Sequence, residues 1–368
     1  MKVVNTAVIG CGAISDIYLS NMMNRYATLN VTACSARHLE HAQKKAGKYG
    51  IRAMTVEEIL ADPEIELVVV LTQAHAHYEL IRQALLAGKH VYTEKTMTTE
   101  LHEAKELIAL AAERGLRLGS APETFMGSSF QTARQAMDAG LIGDVTSFHV
   151  VANRDLTLLA SIFHFLREKG GGICFDYGVY YLTALLSLLG PAESVYAQVG
   201  NHQRVRRNVA EELPDFGQDY IYDNEAQVNA VLTLRSGVTG TFSLNGDSAN
   251  HDQAYFTIHG TKGILQLGDA NQFGGEVRYL KNDRHTCNWE VLEPVSPLSM
   301  NARGIGPTDM ALCIWEGGEH LASGDMACHM LDVVERMIES GASGRAERMT
   351  TTFDRPEPFT RWDRILRK

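Results

Sequence analysis

Over the first third of the chain, short apolar runs alternate with longer stretches in which apolar residues recur at helical spacing. Thr6–Gly10 (TAVIG) is the first such run, and a helical pattern follows it through Tyr26. Val31–Cys34 predicts a second strand, Leu39–Tyr49 a second helix, and Glu57–Leu60 a short helix. Leu67–Leu71 (LVVVL) is apolar throughout, as a parallel strand covered on both faces must be. A helix over His77–Ala87 stops at Gly88, and His90–Thr93 is a short strand. The next helix, capped by Thr98 or Thr99, runs to Arg114, and Leu116–Gly119 is a fifth strand. Strands alternating with helices imply a doubly wound parallel sheet.

The pattern changes near Ala121. A helix (Ser129–Ala139), a strand (Asp144–Ala152) and a long helix (Gly171–Leu189) come first. Strands then dominate: Ser194–Val199, Glu225–Leu234, Val238–Leu244, Ala254–His259, Ile264–Leu267, Glu276–Leu280 and Trp289–Leu292. Turns as short as Arg235-Ser236-Gly237 imply antiparallel pairing. A helix over Asp325–Ser340 follows, and the polar tail beyond Gly341 is expected to wrap a surface. At 368 residues the chain suits two domains, given roughly 100–200 residues for each. The expectation is a parallel Rossmann-type α/β domain over residues 1–122. An α+β domain on a large, mostly antiparallel open sheet follows over 123–368.

Charge narrows the partners. A formal net charge of −10 disfavours nucleic acid and anionic membranes. The longest apolar stretch, Val179–Leu189, is too short for the ~20 residues that span a bilayer. The first residues read as a strand rather than a leader, so a cytoplasmic location is expected. Six cysteines without a CxxC pair suit reduced thiols, not a zinc site. No metal is expected: the histidines of His75-Ala76-His77 stand two apart and diverge on a helix.

Gly10-Cys11-Gly12-Ala13-Ile14-Ser15 follows the first strand directly and opens a helix. The first glycine permits a tight turn, and the second lets backbone approach a pyrophosphate at the positive end of that helix. Gly10, Gly12, Ala13 and Ile14 are therefore cofactor candidates. After the second strand an Asp or Glu would bind a ribose 2′-hydroxyl. The chain instead has Ser35-Ala36-Arg37-His38, with no acid until Glu40. A hydroxyl, a guanidinium and an imidazole suit a 2′-phosphate, which favours NADP over NAD. Alternatively Arg37 is a solvated residue lying over the adenine.

Two further groups carry candidate chemistry. Glu94 and Lys95 follow the fourth strand, at the sheet edge where such folds bind ligands. A lysine there can donate to a substrate oxygen or move a proton. Gly170-Gly171-Gly172 opens the long helix, on which Asp176 and Tyr180 stand four apart and share a face. Asp, Tyr and Lys together would suit alcohol oxidation. The alternative is that Asp176 caps or pairs locally and Tyr180 packs.

At these residues the chain resembles the Gfo/Idh/MocA oxidoreductases, among them glucose–fructose oxidoreductase and inositol dehydrogenase. The resemblance rests on GCGAIS at 10–15, AGKHVYTEK at 87–95, GGGICFDYG at 170–178 and HGTKGIL at 259–265, and runs from about Val4 to Pro356. It implies hydride transfer between nicotinamide and a carbon of a sugar or cyclitol. It implies that Lys95 contacts substrate and helps move the proton, with Glu94 beside the cofactor. By the same resemblance Asp176 positions substrate hydroxyls, and Tyr180 stands where inositol dehydrogenases have an acid/base histidine. Thr72, Gln73 and His77 match the strand-four exit on the cofactor side. Two departures stand out: Thr96 replaces the proline after the lysine, and Gln73 the proline after Thr72. The outer sheet face commonly makes oligomer contacts in the family, which implies a homodimer or homotetramer. Glu123, Asn153, Arg154, Asp155 and His164 are further substrate candidates, or else residues of solvated loops. Thr183, one turn beyond Tyr180, is another.

The reading that follows is an NADP- or NAD-dependent oxidoreductase acting on a secondary alcohol or ketone of a sugar, glycoside or cyclitol. Lys95 and Tyr180 would share the proton. Redox-neutral glycoside cleavage through a transient keto-sugar needs the same residues. A dihydrodiol-dehydrogenase-like reductase and a non-catalytic dinucleotide sensor are the remaining alternatives.

Overall fold

The computed structural model describes residues 2–250, 253–285 and 287–367. The chain forms two units. One comprises Met1–Met126, Asn301–Cys328 and Phe359–Lys368, the other Gly127–Met300 and His329–Pro358.

The first unit begins β1 (Val4–Ile9), α1 (Ser15–Asn24), β2 (Leu29–Ser35), α2 (Leu39–Tyr49), β3 (Arg52–Ala53) and α3 (Val56–Ala61). It continues β4 (Leu67–Val70), α4 (His77–Leu86), β5 (His90–Thr93), α5 (Leu101–Glu113) and β6 (Leu118–Ser120). The strands form one parallel sheet in the order β3-β2-β1-β4-β5-β6. It has six strands where the apolar pattern predicts five, because β3 is only two residues long and carries no periodicity. All four residues of β4 are buried, since helices cover both faces. Local chemistry sets the helix ends. Thr55 and Glu58 form a reciprocal capping box at α3, and α2 stops on Gly50 at φ 66°. Strand order reverses between β1 and β4, and a crevice opens beyond their carboxyl ends.

The second unit carries α6 (Ser128–Asp138), β7 (Val145–Asn153), α7 (Leu156–Ile162) and α8 (Val179–Leu189). After these come β8 (Ala192–Gly200), the paired β9 (Val205–Arg207) and β10 (Asp219–Ile221), and then β11 (Gln227–Leu234) and β12 (Thr239–Asn245). The last of the run are β13 (Ala254–Gly260), β14 (Gly263–Leu267), β15 (Arg278–Lys281) and β16 (Trp289–Val291). Later in the chain come α9 (Ile305–Glu316) of the first unit, α10 (Gly324–Ser343), which begins in the first unit and continues in the second, β17 (Glu347–Arg348) of the second, and α11 (Trp362–Ile365) of the first. Nine strands make one sheet ordered β16-β15-β14-β13-β7-β12-β11-β8-β17. Its pairs are antiparallel except β7 with β12. Phe148, Val150, Val228, Leu232, Phe242, Phe256 and Ile258 point into the core, where Phe130 of α6 meets Phe256 edge-on at 5.6 Å. Along β7, β11 and β12 buried and more exposed residues alternate, which is the period-two pattern of a half-covered sheet, whereas Thr257 of β13 is buried between Phe256 and Ile258.

Two of the parts of the second unit that differ from the pattern reading bear on the candidate site. Residues 156–162 are helical, not a loop, because the Asp155 carboxylate caps them by accepting from Leu158 N–H at 3.0 Å. The long helix does not begin as an α-helix: Cys174–Gly178 forms a wider turn, and α8 starts only at Val179. The Glu225 carboxylate accepts the Cys174 N–H at 3.0 Å and occupies the space beside Gly172, where a Cβ would stand 2.0 Å from Oε1.

Candidate functional site

Beyond the carboxyl ends of β1, β2 and β4 lies a cleft of about 620 Å³. Gly10, Ser35, Arg37, His38, Thr72 and Gln73 line it, as the sequence reading requires of cofactor residues. Gly10 adopts φ +112°, and a Cβ there would come within 2.7 Å of the Leu71 backbone. Only glycine fits that turn. Gly12 has open space around the position of a Cβ, and with Ala13 it is exposed at the turn. Ile14 precedes the first turn of α1, and Ser15 Oγ donates to Gly12 O at 2.6 Å.

Two polar atoms in this cleft are left over. Ser35 Oγ and Thr72 Oγ1 are buried without a hydrogen-bond partner in the protein. Buried hydroxyls are normally satisfied, so a ligand with donors and acceptors fits here. A dinucleotide is such a ligand. The glycine turn, the start of α1 and the exposed Arg37 and His38 suit its phosphates. Thr55, Glu57 and His75 also line the cleft. Sequence reading passed over the first two because they belong to the neighbouring α3 end, and treated His75 only as a metal question. Among the described residues no cluster of three or more metal-ligating side chains occurs.

His77 is buried rather than displayed. Its ring nitrogens lie 2.9 Å from Thr72 O and 2.7 Å from Thr96 O, so it ties the β4 exit to the turn after Lys95. Burial lowers its pKa against the effect of those carbonyls. Glu94, 7% exposed, accepts the Lys95 N–H on Oε2 at 3.0 Å and the Tyr18 hydroxyl on Oε1 at 2.7 Å. The Lys95–Thr96 peptide is cis. Glu123 stands deeper, at 2% exposure, with Tyr92 Oη 2.7 Å and Tyr18 Oη 3.2 Å from Oε2 and the Gly304 N–H on Oε1 at 2.8 Å. These contacts place Glu123 inside the first unit and away from open surface.

In the second unit the residues around Asp176 are tightly arranged. The Asp176 N–H donates to Gly172 O at 2.9 Å, and its side chain is half-buried. Tyr180 is 9% exposed, one turn on. Tyr177 and Tyr181 join hydroxyls at 2.7 Å, and Tyr181 donates to Asp269 at 2.5 Å. The Arg154 guanidinium lies over the Tyr177 ring at 3.9 Å. Thr183 Oγ1 is buried and unpartnered. Asn153 donates to Gln253 Oε1 at 2.6 Å, and exposed His164 lies 3.4 Å from Asp215. Burial pushes the Glu225 carboxyl up to about 7, so the group that braces the Asp176 turn titrates near neutrality.

The fold is that of a two-domain protein with a Rossmann-type sheet, and the cleft lies at that sheet's carboxyl edge. Residues 4–121 match the model of an oxidoreductase family with an NAD-binding Rossmann fold, and residues 130–266 match the Gfo/Idh/MocA C-terminal domain. The chain belongs to the Gfo/Idh/MocA oxidoreductase family. It is 30% identical over 213 residues to an uncharacterized oxidoreductase of Schizosaccharomyces pombe, a match covering 56% of this chain and 57% of that protein. Its matched stretch thus spans little more than half of that relative. It is also 30% identical to the dTDP-3,4-didehydro-2,6-dideoxy-alpha-D-glucose 3-reductase of Actinomadura kijaniata, over 72% of this chain and 74% of that enzyme. Among solved structures, levoglucosan dehydrogenase in its apo form superposes with a TM-score of 0.83. That match has 18% identity and covers 96% of this chain and all of the other, 100%.

Proposed function

We propose that the protein is an NADP- or NAD-dependent oxidoreductase acting on a secondary alcohol or ketone of a sugar, glycoside or cyclitol. The observation that carries this reading is the cleft itself, with the Gly10 turn at its floor and the orphaned hydroxyls of Ser35 and Thr72 in its wall. Gly10, Gly12, Ala13 and Ile14 would hold the pyrophosphate, and Ser35, Arg37 and His38 the adenosine end. Thr72 and Gln73 would lie along the cleft, and His77 would keep their strand exit in place. A bound nicotinamide would supply or accept the hydride. Lys95 and Tyr180 would exchange the hydroxyl proton, with Asp176 holding neighbouring hydroxyls. A phenol such as that of Tyr180 is a weak base at the ordinary tyrosine pKa of about 10.

Exposed Arg37 and the lack of an acid at the end of β2 favour NADP. Glu57 in the same cleft works against a 2′-phosphate. The sugar class is supported by relatives named for a deoxysugar nucleotide and for levoglucosan. Association through the outer sheet face is supported by exposed Tyr196 and Val231, paired across β8 and β11. Light scattering should then give a dimer or tetramer.

The deciding experiment follows absorbance at 340 nm with NAD or NADP and a panel of free sugars, inositols and glycosides. Growth with one of them is the expected result and names cofactor and substrate class together. Glycoside cleavage without growth would move the reading to redox-neutral chemistry. No change with any pair would sink it.

A further inference from the structure

Two carboxylates and two phenols lie buried at the carboxyl end of β5, all inside the first unit. Apolar residues of similar volume would commonly serve stability as well or better. The hydrogen count shows what the arrangement does instead. Tyr18 has one hydroxyl hydrogen, and the 2.7 Å contact gives it to Glu94 Oε1. Its second carboxylate contact, 3.2 Å to Glu123 Oε2, then needs a hydrogen from the other side. A neutral Glu123 supplies it. In that state Glu123 donates to Tyr18, and Tyr18 donates to Glu94. Glu94 holds the Lys95 N–H on its other oxygen. Tyr92 and the Gly304 N–H fill the remaining sites on Glu123.

We propose that Glu123, in its neutral form and acting through Tyr18, is a positioning residue that orients Glu94 and with it the backbone of Lys95. This inference rests on the reading of Lys95 as the proton-transfer group. Burial and the neighbouring Glu94 push Glu123 up to about 7, while the Gly304 N–H, Tyr92 and Arg303 pull the other way. Tyr18, Tyr26 and Tyr92 also face it, with Asp309 acting on Tyr92, and burial raises the pKa of all three phenols. When Glu123 ionises, it becomes a pure acceptor and competes with Glu94 for the Tyr18 hydrogen. Glu94 then loses part of its restraint, and the Lys95 turn loosens.

The test follows the Lys95 amide directly, in full-length protein labelled with 15N-lysine, with Lys95→Arg used to assign the resonance. In the wild type it should shift with a midpoint near pH 7. In Glu123→Gln, which keeps shape and a donor but cannot ionise, the shift should vanish. In Tyr18→Phe it should vanish too, because the link is cut. A static resonance in the wild type, or an unchanged titration in either variant, overturns the inference. Kinetics then add a second check. Glu123→Gln should flatten the pH profile of kcat and leave KM and cofactor affinity within about twofold, whereas equal loss in all three would mark a merely structural role. Amide titration without turnover of any sugar would preserve this coupling and refute the proposed activity instead.

Discussion

At the level of single residues, the proposed mechanism concentrates on Lys95. Removing its ammonium while leaving the cleft intact separates chemistry from binding. Lys95→Ala should bind the dinucleotide as the wild type does and lose at least ~100-fold in kcat, in line with general acid–base contributions. Near-normal turnover would exclude it from proton transfer. Glu225 makes a different demand. Its folded pKa, about 7, lies above the ordinary 4.5, so the folded state binds a proton more tightly than the unfolded chain. Its stabilising contribution is therefore complete below about pH 4.5 and lost as pH rises through 7. Glu225→Gln does not titrate, so its unfolding free energy relative to wild type should rise by about 3 kcal/mol between pH 4.5 and pH 8. A pH-independent difference in chemical denaturation would show that the carboxyl is not held neutral.

Among the elements, the long periodic ones were legible and the short or wholly buried ones were not. The strands at Leu67–Val70 and Gln227–Leu234 declare themselves by an unbroken apolar run and by alternation. Helix α9 does not, since Ile305–Cys313 is buried on every side and shows no amphipathic period. The pair β9 (Val-Arg-Arg) and β10 (Asp-Tyr-Ile) has only three residues in each strand, too few to show a period. The turn between β1 and α1 lies at the other extreme, readable from Gly10 and Gly12 between a strand and a helix. Gly10→Ala would force a Cβ to 2.7 Å from the Leu71 backbone at φ +112°. It should cost about 2 kcal/mol of stability and weaken dinucleotide binding more than tenfold. Unaltered binding by fluorescence titration would remove this turn from the cofactor site.

For the molecule as a whole, the decisive contacts join residues far apart in sequence. Asn21 donates to Asn301 O at 3.0 Å and to Arg303 O at 2.8 Å, and Thr28 donates to Thr308 O at 2.9 Å. The end of the chain is latched by Arg361, whose Nη2 donates to Asp309 Oδ2 at 2.9 Å. The Asp309 side chain is 0% exposed, so removing the guanidinium leaves a buried carboxylate that has lost its ion-pair partner and keeps the Leu321 N–H at 2.9 Å. Arg361→Ala should therefore cost about 3 kcal/mol, measured by denaturation at pH 7. A loss below about 1 kcal/mol, as for an exposed pair, would show that the latch does not matter.

The sequence alone determined the alternation of strands and helices, the glycine turn and the family. Each of these is written in neighbouring residues, through backbone freedom, periodicity or motif spacing. It also placed Ser35, Arg37, His38, Thr72 and Gln73 at the end of strands, where the cleft does contain them. Only the tertiary structure decided that His75 and Glu57 share that cleft, that His77 faces carbonyls, and that Glu123 sits in a buried hydrogen-bond chain. The same holds for Glu225 beneath the Asp176 turn and for the return of residues 301–328 and 359–368 to the first unit. Burial and partner choice depend on which distant segment fills the adjacent space, and no local pattern encodes that.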